Sequence, residues 1–186
     1  MAPESGTAVG LLDAAASRDT GLVAALADLI NAVYGDAERG LWRDGAQRTT
    51  AADVAGLIAA GQLAVATTPD GRIVGSIHVQ RVSADTTELG TLVAAPDERG
   101  TGVGRDLVAF AEDHSRDQGM RAIQLELLVP RDWRHPSKEF LRAWYERRGY
   151  HLIGTRRMED AHPHLAPLLA TPTYLELREK ALATGA

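Results

Sequence analysis

One stretch limits what this chain can fold into more than any other: Glu88-Leu-Gly-Thr-Leu-Val-Ala-Ala-Pro-Asp-Glu-Arg-Gly-Thr-Gly-Val-Gly104. An apolar run from Leu89 to Ala95 stops at Pro96, and a glycine-rich loop follows. Gly100, Gly102 and Gly104 then lead into Val103, Leu107, Phe110, Ala111 and His114, spaced at three and four residues as on one face of a helix. Strand, glycine loop and helix in that order gather backbone N–H groups at a helix N-terminus. Such a nest holds phosphate, because first-turn amides lack partners and the helix dipole favours negative charge. Two familiar phosphate loops are excluded. Gly104-Arg105-Asp106 stands where a Walker loop needs Gly-Lys-Ser/Thr, and the glycine spacing is G-x-G-x-G rather than the G-x-G-x-x-G of a dinucleotide site.

Composition narrows the partners. A chain of 186 residues fits one domain with room for a sizeable core, and 45% apolar with 24% charged residues matches an ordinary globular protein. The net charge of −5 argues against a nucleic-acid or anionic-membrane surface, so an anionic ligand must be held locally by amides and a few arginines. With no cysteine there is no disulfide, thiolate metal site or cysteine nucleophile. No basic segment followed by an apolar core opens the chain, and no long apolar run follows; the expected location is the cytoplasm.

Residues 1–7 read as a loose tail before a short strand at Val9–Leu12. Thr20 or Asp19 caps a helix carrying Leu22, Leu26, Leu29, Ile30 and Val33 that ends near Gly35. A polar link with Trp42 leads to a second helix at Thr50, where Thr-x-x-Asp53 resembles a capping box. Alternation through Leu63, Val65 and Thr67, a Pro69-Asp70-Gly71 turn, and alternation through Ile73, Gly75, Ile77 and Val79 predict a β-hairpin beside the Glu88–Ala95 strand. After the helix from about 103 to 118 come a strand with Ile123, Leu125 and Leu127, a loop from Pro130 to Ser137, and a helix with Phe140, Leu141, Trp144 and Tyr145. Two strands, about 150–158 and 173–178, close the chain. The order β-α-α-β-β-β-α-β-α-β-β predicts a mixed sheet covered by helices on both faces, as one domain over 1–186.

Arg99-x-x-Gly102-x-Gly104 resembles the pyrophosphate loop of the GNAT acetyltransferases, Gln/Arg-x-x-Gly-x-Gly/Ala. Leu141-Arg-Ala-Trp144-Tyr145-Glu-Arg-Arg-Gly149-Tyr150 is similar to their Ala-x-x-Phe-Tyr-x-x-x-Gly-Phe segment, with Trp and Tyr for the two phenylalanines. The resemblance covers roughly residues 62–158 well, the cofactor-binding core, and the flanks by element order. It implies an α/β (α+β) GNAT fold, a mixed and mostly antiparallel sheet of six to seven strands. It also implies an N-acetyltransferase that uses acetyl-CoA and no metal. Arg99, Gly100, Thr101, Gly102, Val103, Gly104 and Arg105 would wrap the pyrophosphate. The Glu88–Ala95 strand would splay from the 121–128 strand, with the main chain of Leu92, Val93 and Ala94 pairing the pantetheine arm. The Leu92 amide would face the thioester carbonyl, and Tyr145 would protonate the departing thiolate. A phenol of pKa about 10 gives a proton to a thiolate whose conjugate acid sits near about 8.5 only with help from positioning or stepwise charge.

An amine must lose its proton before it can attack. Glu88 stands eleven residues before Arg99, where histone-type members place their base. Strand alternation puts Glu88, Gly90 and Leu92 on one face, so its carboxylate would act directly or through a water. Glu126 is the second base candidate, a charge inside an apolar strand whose partial burial would raise its pKa. The acceptor site implied by the resemblance lies over the first two helices, at Glu38, Trp42, Arg43 and Arg48. Trp42 is either a lid over substrate or a plug on the core. Trp133, Arg134 and His135 in the loop after Pro130 are further candidates for lining it. Glu139 stands where the family often has asparagine, six residues before the tyrosine, which puts one cofactor contact in doubt. His162-Pro-His164 lacks a third ligand and is not read as a metal site, and Arg147 and Arg148 read as an exposed helix face. The acceptor is expected to be a small-molecule primary amine. A protein or peptide amine, a hydroxyl acceptor or longer acyl group, and a non-catalytic acyl-CoA-binding module are the alternatives. The residues do not set an oligomeric state, and a homodimer stays open.

Overall fold

The computed structural model describes residues 6–183; of the loose tail read at 1–7, residues 1–5 lie outside the described residues. Among the described residues seven strands form one sheet: β1 (Ala8–Leu11), β2 (Leu63–Thr67), β3 (Ile73–Arg81), β4 (Thr86–Ala94), β5 (Ala122–Pro130), β6 (His151–Arg156) and β7 (Thr173–Ala181). The order across it is β1-β2-β3-β4-β5-β7-β6. Only β4 and β5 run parallel; the other neighbours are antiparallel.

The helices are α1 (Thr20–Ala37), α2 (Ala51–Ala59), α3 (Val103–Asp117), α4 (Pro136–Arg147) and a single turn, α5 (Met158–Ala161), in the link where no helix was expected. Asp19, not Thr20, caps α1 by accepting the Leu22 N–H at 3.0 Å. The capping box of α2 is complete, with Thr50 and Asp53 each accepting the other's backbone N–H. No helix is long and apolar enough to cross a membrane among the described residues.

The sheet separates two cores. Val23, Leu26, Ile30 and Val33 of α1 and Val54 and Ile58 of α2 bury against Leu63, Val65 and Val93. On the other face, Leu107, Val108 and Ala111 of α3 and Tyr145 of α4 bury against Ala64, Ile77, Leu89, Ile123 and Leu125. Gly75 lets α3 approach: a Cβ there would lie 2.6 Å from the Val93 carbonyl oxygen and 2.9 Å from the Val103 side chain.

Candidate active site at the parting of two strands

The parallel pairing of β4 with β5 covers four residue pairs, from Thr86↔Ala122 to Leu89↔Leu125. From Gly90 onward β4 is paired only to β3, while β5 from Glu126 to Pro130 is paired to β7. The sheet thus forks at Gly90, a splay of the kind the family resemblance implied, and each arm keeps one unpaired edge of N–H and C=O groups. Such an edge can accept an extended ligand as an added strand.

A bulge sits on the β4 arm. His78 faces Gly90 and Ser76 faces Val93, so Thr91 and Leu92 together oppose Ile77. Thr91 takes φ 47°, a left-handed conformation that is costly for a β-branched residue. The extra residue inverts the faces. Leu89 and Leu92 both pack towards α3, whereas Val93 packs towards α1 and α2. This corrects the simple alternation: Leu92 does not share a face with Glu88.

Beyond β4, Gly100 and Gly102 adopt φ 84° and 103°, and Gly102 is the N-cap of α3. Among the described residues no side chain caps this helix, in contrast to α1 and α2. Gly100 and Gly104 have open space where a Cβ would be. Arg105 arches back so that its Nη2 would be 3.1 Å from a Cβ at Gly102, and its Nε bonds Asp106 at 2.8 Å. Arg99 spans from this loop to Asp36 at 2.8 Å, which fixes the loop to the end of α1. Arg148 is not an exposed helix residue. It stacks 4.9 Å over Trp144, donates to the Arg105 carbonyl at 3.4 Å, and adds a third arginine to the two in the loop. The bare nest, its glycines and these arginines suit a diphosphate.

Tyr145 and Glu88 occupy opposite faces of the sheet at the fork. Tyr145 is 5% exposed on the α3 side, its ring edge-on to Trp144 and Tyr150 at 4.8 and 5.5 Å. Burial pushes its phenol up; nearby Tyr34 of α1 adds to this and Arg148 opposes it. Glu88 pairs with Gln80 of β3 and Gln124 of β5, and both amides donate to its carboxylate, at 3.3 and 2.7 Å. Because Leu63 of the α1–α2 core pairs with His78, and His78 and Gln80 alternate, Glu88 opens on the α1–α2 face. It lines a polar cleft of about 510 Å³ with Gln80, Thr86, Gln124, Glu126 and His162.

Glu126 differs from expectation. His162 Nε2 lies 2.7 Å from its carboxylate and Arg156 donates at 3.1 Å. The His162 hydrogen bond, against the cost of burial, leads the interactions that hold the carboxyl below its usual range. A lowered pKa makes it a weaker proton acceptor near neutrality, which overturns the raised value argued from burial alone.

A match to the acetyltransferase (GNAT) family model spans residues 23–150 and takes in the fork, the nest and Tyr145. The chain belongs to the GNAT acetyltransferase family. No curated protein sequence matches it. Its fold is that of solved GNAT enzymes at low identity. The ribosomal-protein-S18-alanine N-acetyltransferase of Escherichia coli aligns at TM-score 0.65 and 14% identity, covering 97% of this chain and 96% of that one. An aminoglycoside 6'-N-acetyltransferase complexed with coenzyme A aligns at TM-score 0.69 and 17% identity, covering 96% and 99%. As a GNAT member the chain is an N-acetyltransferase, and the mixed sheet with helices on both faces is the expected one. Those two neighbours take a protein and an aminoglycoside, so the family leaves the amine open.

The residues expected to line the acceptor site of this GNAT protein gather apart from this cleft. Glu38 is 2% exposed and bound by Lys138, by Trp42 Nε1 at 2.5 Å and by Arg48 at 3.7 Å. It is a buried hub joining α1 to α4, not a wall of the cleft. Arg48 lies between the rings of Tyr34 and Trp42, 4.8 and 4.6 Å from their centroids. Trp42 packs at the margin of the Leu41–Leu128–Met158 core, the plug of its two alternatives. Trp133 is 40% exposed, bonds Thr171 at 3.3 Å, and packs towards Gly40. Arg43 bonds the Leu169 carbonyl at 3.1 Å. The cleft residues that sequence reasoning missed are Gln80, Gln124 and His162. Gln80 and Gln124 carried a signal, being amides at cross-strand positions of otherwise apolar strands on either side of Glu88.

Proposed function

We propose that this protein transfers an acetyl group from acetyl-CoA directly to the primary amine of a small molecule. The fork at Gly90 carries the reading, because it leaves room between β4 and β5 for an extended arm whose diphosphate would sit on the bare amides of α3. The chain's own groups then divide the work. Amides from Arg99 to Arg105 hold the diphosphate, the β4 edge at Leu92–Ala94 orients the arm, and the Leu92 N–H faces the carbonyl. Tyr145, on the α3 face, supplies the proton the leaving sulfur needs. The acceptor approaches from the opposite face, through the cleft where Glu88 supplies negative charge for an ammonium.

A small acceptor fits this cleft, whose lining of Gln80, Glu88, Gln124, Glu126 and His162 is polar and suits a cationic amine. The reading is tested with calorimetry and a panel of spermidine, tyramine, glucosamine and an alanine-terminated peptide. Coenzyme A should bind, and a non-peptide amine should release it faster than the peptide. Tyr145→Phe should keep coenzyme binding and lose about 10²-fold or more in kcat. Binding with no turnover of any amine would instead favour a non-catalytic acyl-CoA module.

A further inference from the structure

Both carboxylates at the cleft are already engaged. The Glu88 oxygens accept amide N–H groups, Oε1 from Gln80 and Oε2 from Gln124. Glu126 is held by His162 and Arg156. One basic nitrogen on the same face has a different setting. His78 of β3 pairs across the ladder with Gly90, the first β4 residue past the fork. A Cβ at position 90 would lie 3.8 Å from His78 Nδ1, so the missing side chain opens a gap between that nitrogen and the fork. The other ring nitrogen, Nε2, stands 3.4 Å from the Gln62 side-chain oxygen. In the tautomer that donates to this amide oxygen the ring proton sits on Nε2, which leaves the Nδ1 lone pair towards Gly90.

We propose that His78 takes the proton from the acceptor amine across the gap at Gly90, while Glu88 holds the ammonium rather than deprotonating it. This rests on the acetyl-transfer reading. An ammonium N–H bond breaks as an Nδ1–H bond forms, directly or through one water. The freed lone pair makes the N–C bond and the C–S pair departs on sulfur, which takes the Tyr145 proton. The phenolate recovers a proton from the new amide nitrogen, and the imidazolium gives its own to solvent. Burial lowers the pKa of His78, which keeps the ring neutral before the amine arrives. The charged side chains on the elements packed around it are Glu88 on β4, Asp28 and Asp36 on α1 and Asp53 on α2. Asp36 is taken up by Arg39 and Arg99, and Asp53 by the α2 cap.

The test needs two readouts. Nitrogen NMR of histidine-labelled protein, with His78→Gln to assign the signal, should show His78 protonated on Nε2 and shifted when coenzyme A is added. A proton on Nδ1, or no response to coenzyme A that calorimetry shows to be bound, overturns the proposal whether or not any amine turns over. With whichever panel amine is acetylated, His78→Gln should lose about 10²-fold in kcat and the acid limb of its pH profile. It should keep its affinity for coenzyme A, since Gln can preserve the Gln62 contact. Glu88→Gln should mainly raise KM for the amine and keep the acid limb. Wild-type kcat in His78→Gln, or loss of the acid limb in Glu88→Gln alone, is the contrary result. Absence of coenzyme A binding in the wild type is different: it sinks the acetyl-transfer reading itself.

Discussion

Thr91 and Lys138 show how single residues carry local costs that the rest of the structure sustains. The left-handed φ of Thr91 is a strained conformation, of order 1 kcal/mol or more for a β-branched side chain. Asn tolerates that region better, so Thr91→Asn should raise unfolding stability by about 0.5–1 kcal/mol in urea titration. A loss of stability instead would mean that the Thr side chain contributes more than the strain costs. Lys138 presents the opposite case. It is 3% exposed and paired to the buried Glu38. Removing it leaves the buried carboxylate with only the longer Arg48 contact and the Trp42 hydrogen bond, and Lys138→Met should cost on the order of 3 kcal/mol. The double variant Glu38→Gln/Lys138→Met should be more stable than Lys138→Met alone, because the poorly compensated charge is gone. If both lose the same amount, packing rather than charge explains the effect.

Among elements, the contact of α3 with β3 and β4 sets where the nest lies relative to the fork. Gly75 controls that contact. Gly75→Ala would push a methyl into a backbone carbonyl that cannot swing aside, so a loss of at least about 2 kcal/mol is expected in urea unfolding. A near-neutral result would show that α3 can slide. In the sequence Gly75 reads only as one position of an alternating strand; its role depends on a helix that arrives later in the chain. The same limit governs the rest of what sequence reading saw. Helix starts were legible because caps are local, as at Thr50 and Asp53. The nest was legible because glycine spacing is local. The bulge at Thr91 was not, since the residue that takes the left-handed conformation is a threonine rather than a glycine or asparagine, and it moved Leu92 to the other face. The burial of Glu38 was not legible because its partner, Lys138, lies on a distant helix. Glu126 was misjudged because burial is visible in a strand pattern, whereas a histidine from the following link is not.

At the scale of the whole molecule, several titrations have the same sign. Glu38, Glu126 and Glu176 all have their carboxyl pKa lowered in the folded protein from a starting value of 4.5. The unfolded chain then binds more protons, so the stability they contribute is full above that value and is lost as pH falls. His78 is lowered from 6.5 by burial. It is neutral when folded at a pH where the unfolded chain already takes up a proton, so its contribution also disappears on acidification, but earlier. The urea midpoint of the wild type should therefore begin to fall as pH drops through about 6.5, before the carboxylates titrate. In His78→Gln that first decline should be absent and only the later one remain. The conditions that protonate His78 would then both weaken the fold and remove the proton acceptor of the reaction. An unchanged first decline in the variant would mean that His78 is not held neutral by the folded protein, and the link between its burial and its chemistry would fail.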